Sequence, residues 1–198
     1  MNFLAHAYLS FNKEDIIVGN MISDFVKGKK KFEYSYNIQQ GIFLHREIDN
    51  FTDQHMIIKE AKKLFANPYR LYAGAFIDVA MDHFLAVDKK RFEAFGNLSL
   101  FSASIYNIMQ SHLDECPLQF QIIFPYMKCQ DWLANYSESN GIDKAFDGLV
   151  RRAAYLSDST EAKKIFYANY QALKYYYEIF FNELEKFSLD VLGNLSIN

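Results

Sequence analysis

The stretch that most restricts the fold is Tyr69 to Ala86, YRLYAGAFIDVAMDHFLA. It reads as one helix, apolar on almost every side, so neighbouring elements must wrap it. It nevertheless carries Asp78 and Asp82 at i, i+4 spacing, with His83 beside the second. A carboxylate in apolar surroundings has to be paired, hydrogen-bonded or bound to a metal, because desolvating a bare charge is too costly. Without a cation nearby it is pushed towards protonation.

The chain that supplies the wrapping contains few helix breakers. With 3 Pro and 8 Gly in 198 residues, long helices are favoured over a many-turned β architecture. Hydrophobic residues make up 51% and aromatics 17%, unlike a disordered chain. An all-α, single-domain helical bundle over residues 1–198 is therefore expected. The net charge of −3 gives no nucleic-acid signature. No apolar run approaches membrane-spanning length, and the opening residues lack a basic leader. Cys116 and Cys129 form neither a CxxC pair nor a disulfide framework, which fits a reducing cytoplasm.

A second stretch, Gly41 to Asp53 (GIFLHREIDNFTD), repeats the mixture of core and chemistry. In a helix starting near Ser35 or Asn37, a turn of about 100° per residue puts His45, Asp49, Thr52 and Asp53 in one quadrant. Leu44, Ile48 and Phe51 fall on the adjoining apolar side. A solvated stripe with a pairing His would read the same way. Asp53 competes for a second role, as cap of the next helix, Gln54 to Ala66, which Asn67-Pro68 should stop.

Glu14 to Val26 places Asn20 and Asp24 at i, i+4 among apolar residues, making Asp24 another expected buried carboxylate. Within residues 2–11, His6 shares a face with Asn2 and Ser10. By local sequence alone His6 reads as a core histidine bonded to a backbone carbonyl. Further on, Asp88 to Arg91 reads as a charged linker, and Pro117 and Pro125 bracket an irregular piece. The last helix, about Glu161 to Val191, repeats apolar residues from Phe166 to Phe187 in steps of four and three. That heptad-like seam can pack inside the monomer or form a dimer contact.

The acids and imidazoles on apolar helices are His6, Asp24, His45, Asp49, Asp53, Asp78, Asp82 and His83. Helical bundles build metal sites from such side chains on facing helices. A mixed N/O set without thiolate suits Mn²⁺, Fe²⁺ or Mg²⁺ better than structural zinc. A metal-dependent hydrolase of a phosphate ester is the chemistry these residues support.

The opening MNFLAH, the run Gly19-Asn20 to Asp24-Phe25-Val26 and Gly28, and His45-Arg46-x-Ile48-Asp49-x-x-Thr52-Asp53 resemble the acyl carrier protein phosphodiesterases. So do Asp78-Val79-x-x-Asp82-His83-Phe84-Leu85, Trp132-Leu133, Tyr136 and Arg151-Arg152. The resemblance implies an HD-like fold and removal of the 4′-phosphopantetheine arm from holo acyl carrier protein with Mn²⁺ or a similar ion. The adjacent pair here reads Asp82-His83, the reverse of the wider HD pattern.

On this reading Asp24, His45, Asp49, Asp82 and His83 are the expected metal ligands. Asp78 or Asp53 assists them, His6 is the general acid and Arg46 steadies the phosphoryl charge. The acidic carrier protein would dock on Lys27 to Lys31 or on Arg151-Arg152. An HD-like phosphohydrolase of a nucleotide or other small ester, and a non-catalytic bundle with a buried polar network, are the competing classes.

Overall fold

The computed structural model describes residues 1–195, and the sparse breakers leave them almost wholly helical, with no strand among them. The α-helices are α1 (Phe3–Tyr8), α2 (Glu14–Ile22), α3 (Tyr36–Gln54), α4 (Met56–Tyr69), α5 (Ala73–Val87) and α6 (Leu98–Ser111). They continue as α7 (Leu118–Cys129), α8 (Trp132–Asn135), α9 (Ser139–Arg152), α10 (Thr160–Ala168) and α11 (Tyr170–Leu195). No helix of the described residues is long and apolar enough to cross a membrane.

Helix α5 is wrapped as its sequence demands. Phe76, Ile77 and every residue from Val79 to Ala86 are buried, against α1, α4, α9 and α11. The predicted helix over Tyr69 to Ala86 is nonetheless broken. α4 runs through Asn67-Pro68, and the break comes at Arg70, whose φ of +45° no helix can continue. Pro68 falls in the last turn of α4, near the end of the hydrogen-bond ladder.

Three other expectations change. The region around Pro117 and Pro125 is helical, as α7. The last helix divides at Asn169, whose side chain donates to the Ile165 carbonyl at 2.8 Å and closes α10. Its apolar seam packs inside the monomer, with Leu173, Tyr177, Phe180 and Leu184 buried against α3, α4 and α5. Asp88 to Arg91 is no linker. The Arg91 guanidinium donates to Glu185 at 2.6 Å, Asn182 at 2.7 Å and the Tyr177 hydroxyl at 3.0 Å, fastening this segment to α11.

Helices α2 and α3 cross in backbone contact, and two glycines permit it. A Cβ on Gly19 would lie 2.1 Å from the Ile38 carbonyl oxygen, and one on Gly41 would lie 2.5 Å from that of Ile16. This approach sets the backbone after Gly19 against the side chains of α3 that follow Gly41.

Candidate metal centre

His45, one turn beyond Gly41, meets the backbone that Gly19 brings close. Its Nδ1 lies 2.8 Å from the Asn20 carbonyl oxygen. A carbonyl can only accept, so Nδ1 carries the hydrogen and Nε2 is left to face the site. Nε2 is 3.2 Å from Asp49 Oδ2 and 3.2 Å from Asp24 Oδ1. An imidazole oriented by a backbone carbonyl through its second nitrogen is the usual arrangement of a metal-ligating histidine.

His6 completes the group from α1. Its ring stacks on that of His45, 12° from parallel with centroids 3.8 Å apart. His6 Nε2 lies 3.3 Å from Asp49 Oδ1, at ion-pairing distance, yet neither ring nitrogen makes a hydrogen bond and both are buried. The backbone bond expected of a core histidine is therefore missing. It is the His6 carbonyl that is bonded, by the Asn20 amide at 2.9 Å and the Ser10 hydroxyl at 2.8 Å. One ligand atom from each of His6, His45 and Asp49 lies within 4.8 Å of the others. Unpaired buried nitrogens converging on a carboxylate have the chemistry a divalent cation requires, so the residues fit such an ion.

Electrostatics divides the two imidazoles. Burial, together with the neighbouring His45, lowers His6 to about 4. Burial also opposes a charge on His45, but hydrogen bonds to Asp24 and Asp49 outweigh it and raise the group to about 9. Desolvation would raise Asp49; the His45 and His6 contacts and the Met1 ammonium overcome it and hold the carboxyl far below its usual range. Asp24 is lowered chiefly by its hydrogen bond to His45. Its side chain is 71% exposed, against the expected burial, because α2 ends at Ile22 and Asp24 sits on the short turn after it.

The other residues expected at the site are placed differently. The Met1 amine lies 3.2 Å from Asp49 and 3.3 Å from Asp78, so Asp78 borders the cluster through that nitrogen. Burial disfavours the ammonium, but Asp78, Asp49 and Asp82 raise it to about 11. Asp82 is fully buried, and its oxygens accept from the backbone amides of Leu4 at 2.8 Å, Asn2 at 3.3 Å and Ala5 at 3.4 Å. It holds the N-terminus of α1, and burial pushes its carboxyl up to about 7.

His83 is outside the cluster, with Nδ1 2.7 Å from the Tyr136 carbonyl and Nε2 2.9 Å from the Tyr170 hydroxyl. Asp53 is exposed and pairs with Lys62 at 2.7 Å; the cap of α4 is His55. Arg46 is exposed, with Nη2 donating to the Val26 carbonyl at 3.3 Å.

Residues 1–184 match the family model described as acyl carrier protein phosphodiesterase. The chain belongs to this family. Among phosphodiesterases of that name, one from Photorhabdus laumondii is 32% identical over 176 residues, covering 87% of this chain and 89% of the relative. One from Yersinia enterocolitica is 34% identical over 157 residues, covering 79% of this chain and 81% of the relative. No solved structure gives a significant match. The family match runs from α1 into α11 and so takes in all the residues of the cluster.

Proposed function

We propose that this protein is a metal-dependent phosphodiesterase that removes the 4′-phosphopantetheine group from holo acyl carrier protein. The observation that carries the reading is the convergence of His6, His45 and Asp49 within 4.8 Å, in a chain of this family. These three, with Asp24 at the solvent side of His45, would hold Mn²⁺, Fe²⁺ or Mg²⁺. Such an ion lowers the pKa of water from 15.7 towards roughly 7 and polarises a phosphoryl oxygen.

The chain's own groups do the positioning. The Asn20 carbonyl fixes the His45 ring, and the Met1 amine, backed by Asp78, steadies Asp49. His6 is assigned as a ligand and not the proton donor, because its buried ring nitrogens make no hydrogen bond and converge with His45 on Asp49. Asp24 lies at the open edge, and the exposed Lys27, Lys29 and Lys30 follow directly in the chain with Phe32, which is 64% exposed. Arg46 is tied to the same edge. An acidic carrier protein would dock on this basic and apolar face, bringing its phosphodiester over Asp24.

The test is to incubate the protein and Mn²⁺ with purified holo carrier protein and weigh the carrier by mass spectrometry. Loss of the phosphopantetheine mass, abolished by chelation and restored by the ion, is expected. An unchanged carrier would overturn the reading.

A further inference from the structure

A groove of about 620 Å³ runs along α9 beside the start of α1. That volume lies within the roughly 300–1,000 Å³ of small-molecule sites. Phe3, Trp132 and Tyr136 form apolar walls, and Lys144, Arg151 and Arg152 are exposed along it. Among the described residues none of these three cations is in an ion pair. Three exposed cations along one groove are a local concentration of positive charge in a chain of net charge −3.

The chain links the groove to the metal centre over one residue. Asn2 lines the groove, and the adjoining residue, Met1, places its nitrogen 3.2 Å from Asp49 Oδ1. A ligand with its phosphate at the His6–His45–Asp49 cluster could thus lay a flexible tail past Asn2 into the groove. The docking face at Lys27 to Phe32 follows Asp24 in the chain, whereas the groove is lined by Asn2 and Phe3.

We propose that this groove receives the 4′-phosphopantetheine arm of the carrier protein, a reading that rests on the function proposed above. The arm's amide carbonyls and hydroxyl oxygen accept hydrogen bonds, and Lys and Arg can only donate. Its aliphatic segments suit the aromatic walls.

Trp132 is the single tryptophan of the chain, so its fluorescence reports directly on the groove. The Mn²⁺-loaded full chain is titrated with 4′-phosphopantetheine, inorganic phosphate, holo carrier protein and apo carrier protein. Phosphopantetheine and the holo carrier should shift Trp132 emission saturably, and phosphate and the apo carrier should not. Gly148→Leu fills the groove at a site where a Cβ meets only Arg151 Nη2, at 3.6 Å. It should weaken phosphopantetheine binding at least tenfold. It should also lower, by at least tenfold, the ratio of kcat/KM on holo carrier protein to that on an aryl phosphodiester without the arm. Arg152→Ala, at the exposed end of α9, gives the same comparison if the first variant fails to fold.

Equal shifts from apo and holo carrier, or from phosphate and phosphopantetheine, would overturn the inference. So would an unmoved Trp132 with a parental ratio in both variants. If phosphopantetheine shifts Trp132 while the parent leaves holo carrier intact, the groove stands and the proposed activity falls.

Discussion

The imidazole rings of His6 and His45 lie face to face, 3.8 Å between centroids. Two imidazolium ions repel at that distance, so the stack persists with at most one charge. The charge falls on His45, which faces Asp24 and Asp49, and His6 stays neutral. An imidazole that ligates a metal must also be neutral, and His6 is already in that state.

Removing His6 should therefore act on the metal. His6→Gln is expected to lower Mn²⁺ retention at least tenfold, as disruption of a ligand shell generally does. Its rates on holo carrier protein and on an activated aryl phosphodiester should fall together. If the aryl substrate were spared and bound metal unchanged by elemental analysis, His6 would be the proton donor and not a ligand.

Stability without metal should fall with rising pH. His45 binds its proton more tightly folded, at about 9, than unfolded, at 6.5. That contribution is complete below about 6.5 and is lost as the pH rises through 9. The Met1 amine, raised from 8.0 to about 11, acts in the same direction at higher pH. The chelated protein should thus melt at a lower temperature at pH 9 than at pH 6.5. His45→Gln should flatten this slope, and an equal slope in the variant would show that other groups set it.

The α2–α3 crossing should tolerate no side chain. Gly41→Ala would set a Cβ 2.5 Å from the Ile16 carbonyl oxygen and 2.9 Å from the Gly19 Cα, so the helices must part. A loss of about 1–3 kcal/mol is expected in denaturant unfolding, typical of overpacking. Because the same crossing delivers the Asn20 carbonyl to His45, Mn²⁺ affinity should fall as well. Gly193→Ala, with open space around it, should cost neither.

Helix content was legible because it rests on the scarcity of Pro and Gly and on apolar periodicity, both local properties. The grouping of His45 with Asp49 was legible for the same reason, since i, i+4 spacing on one helix fixes it. His6 and Asp24 reach the cluster only through helix packing, which spacing does not encode. Two glycines within apolar helices, Gly19 and Gly41, were the available signal for that packing. Asp82 and His83 read as ligands because a mostly apolar helix carries them, yet backbone amides satisfy Asp82, and the Tyr136 carbonyl and the Tyr170 hydroxyl satisfy His83, partners that helix spacing does not announce. Nor does a side-chain pattern reveal the Asn20 carbonyl or the Met1 amine.

Docking separates protein substrates from small ones. Lys29→Glu with Lys30→Glu reverses two exposed charges beyond Asp24. KM for holo carrier protein should rise and its salt dependence weaken, while turnover of a small phosphodiester changes little. An equal loss on both substrates would place these lysines outside a docking role.

Asp82 and Asp53 give the sharpest contrast between burial and exposure. Asp82 accepts three backbone amides at the start of α1, the helix that carries His6. Asp82→Asn would turn an amide NH₂ towards donors, leaving some of them unpaired at about 1–3 kcal/mol each. The metal-free variant should therefore melt earlier than the parent, and Mn²⁺ affinity should fall because His6 is less firmly held. Saturating Mn²⁺ should restore most of the activity, since the ligand set itself is intact. If instead the metal-free melting point were unchanged while affinity and saturated activity both collapsed, Asp82 would be a ligand. Asp53→Asn removes only an exposed pair with Lys62. It should change stability by less than about 0.5 kcal/mol and leave metal content and turnover at the parental level.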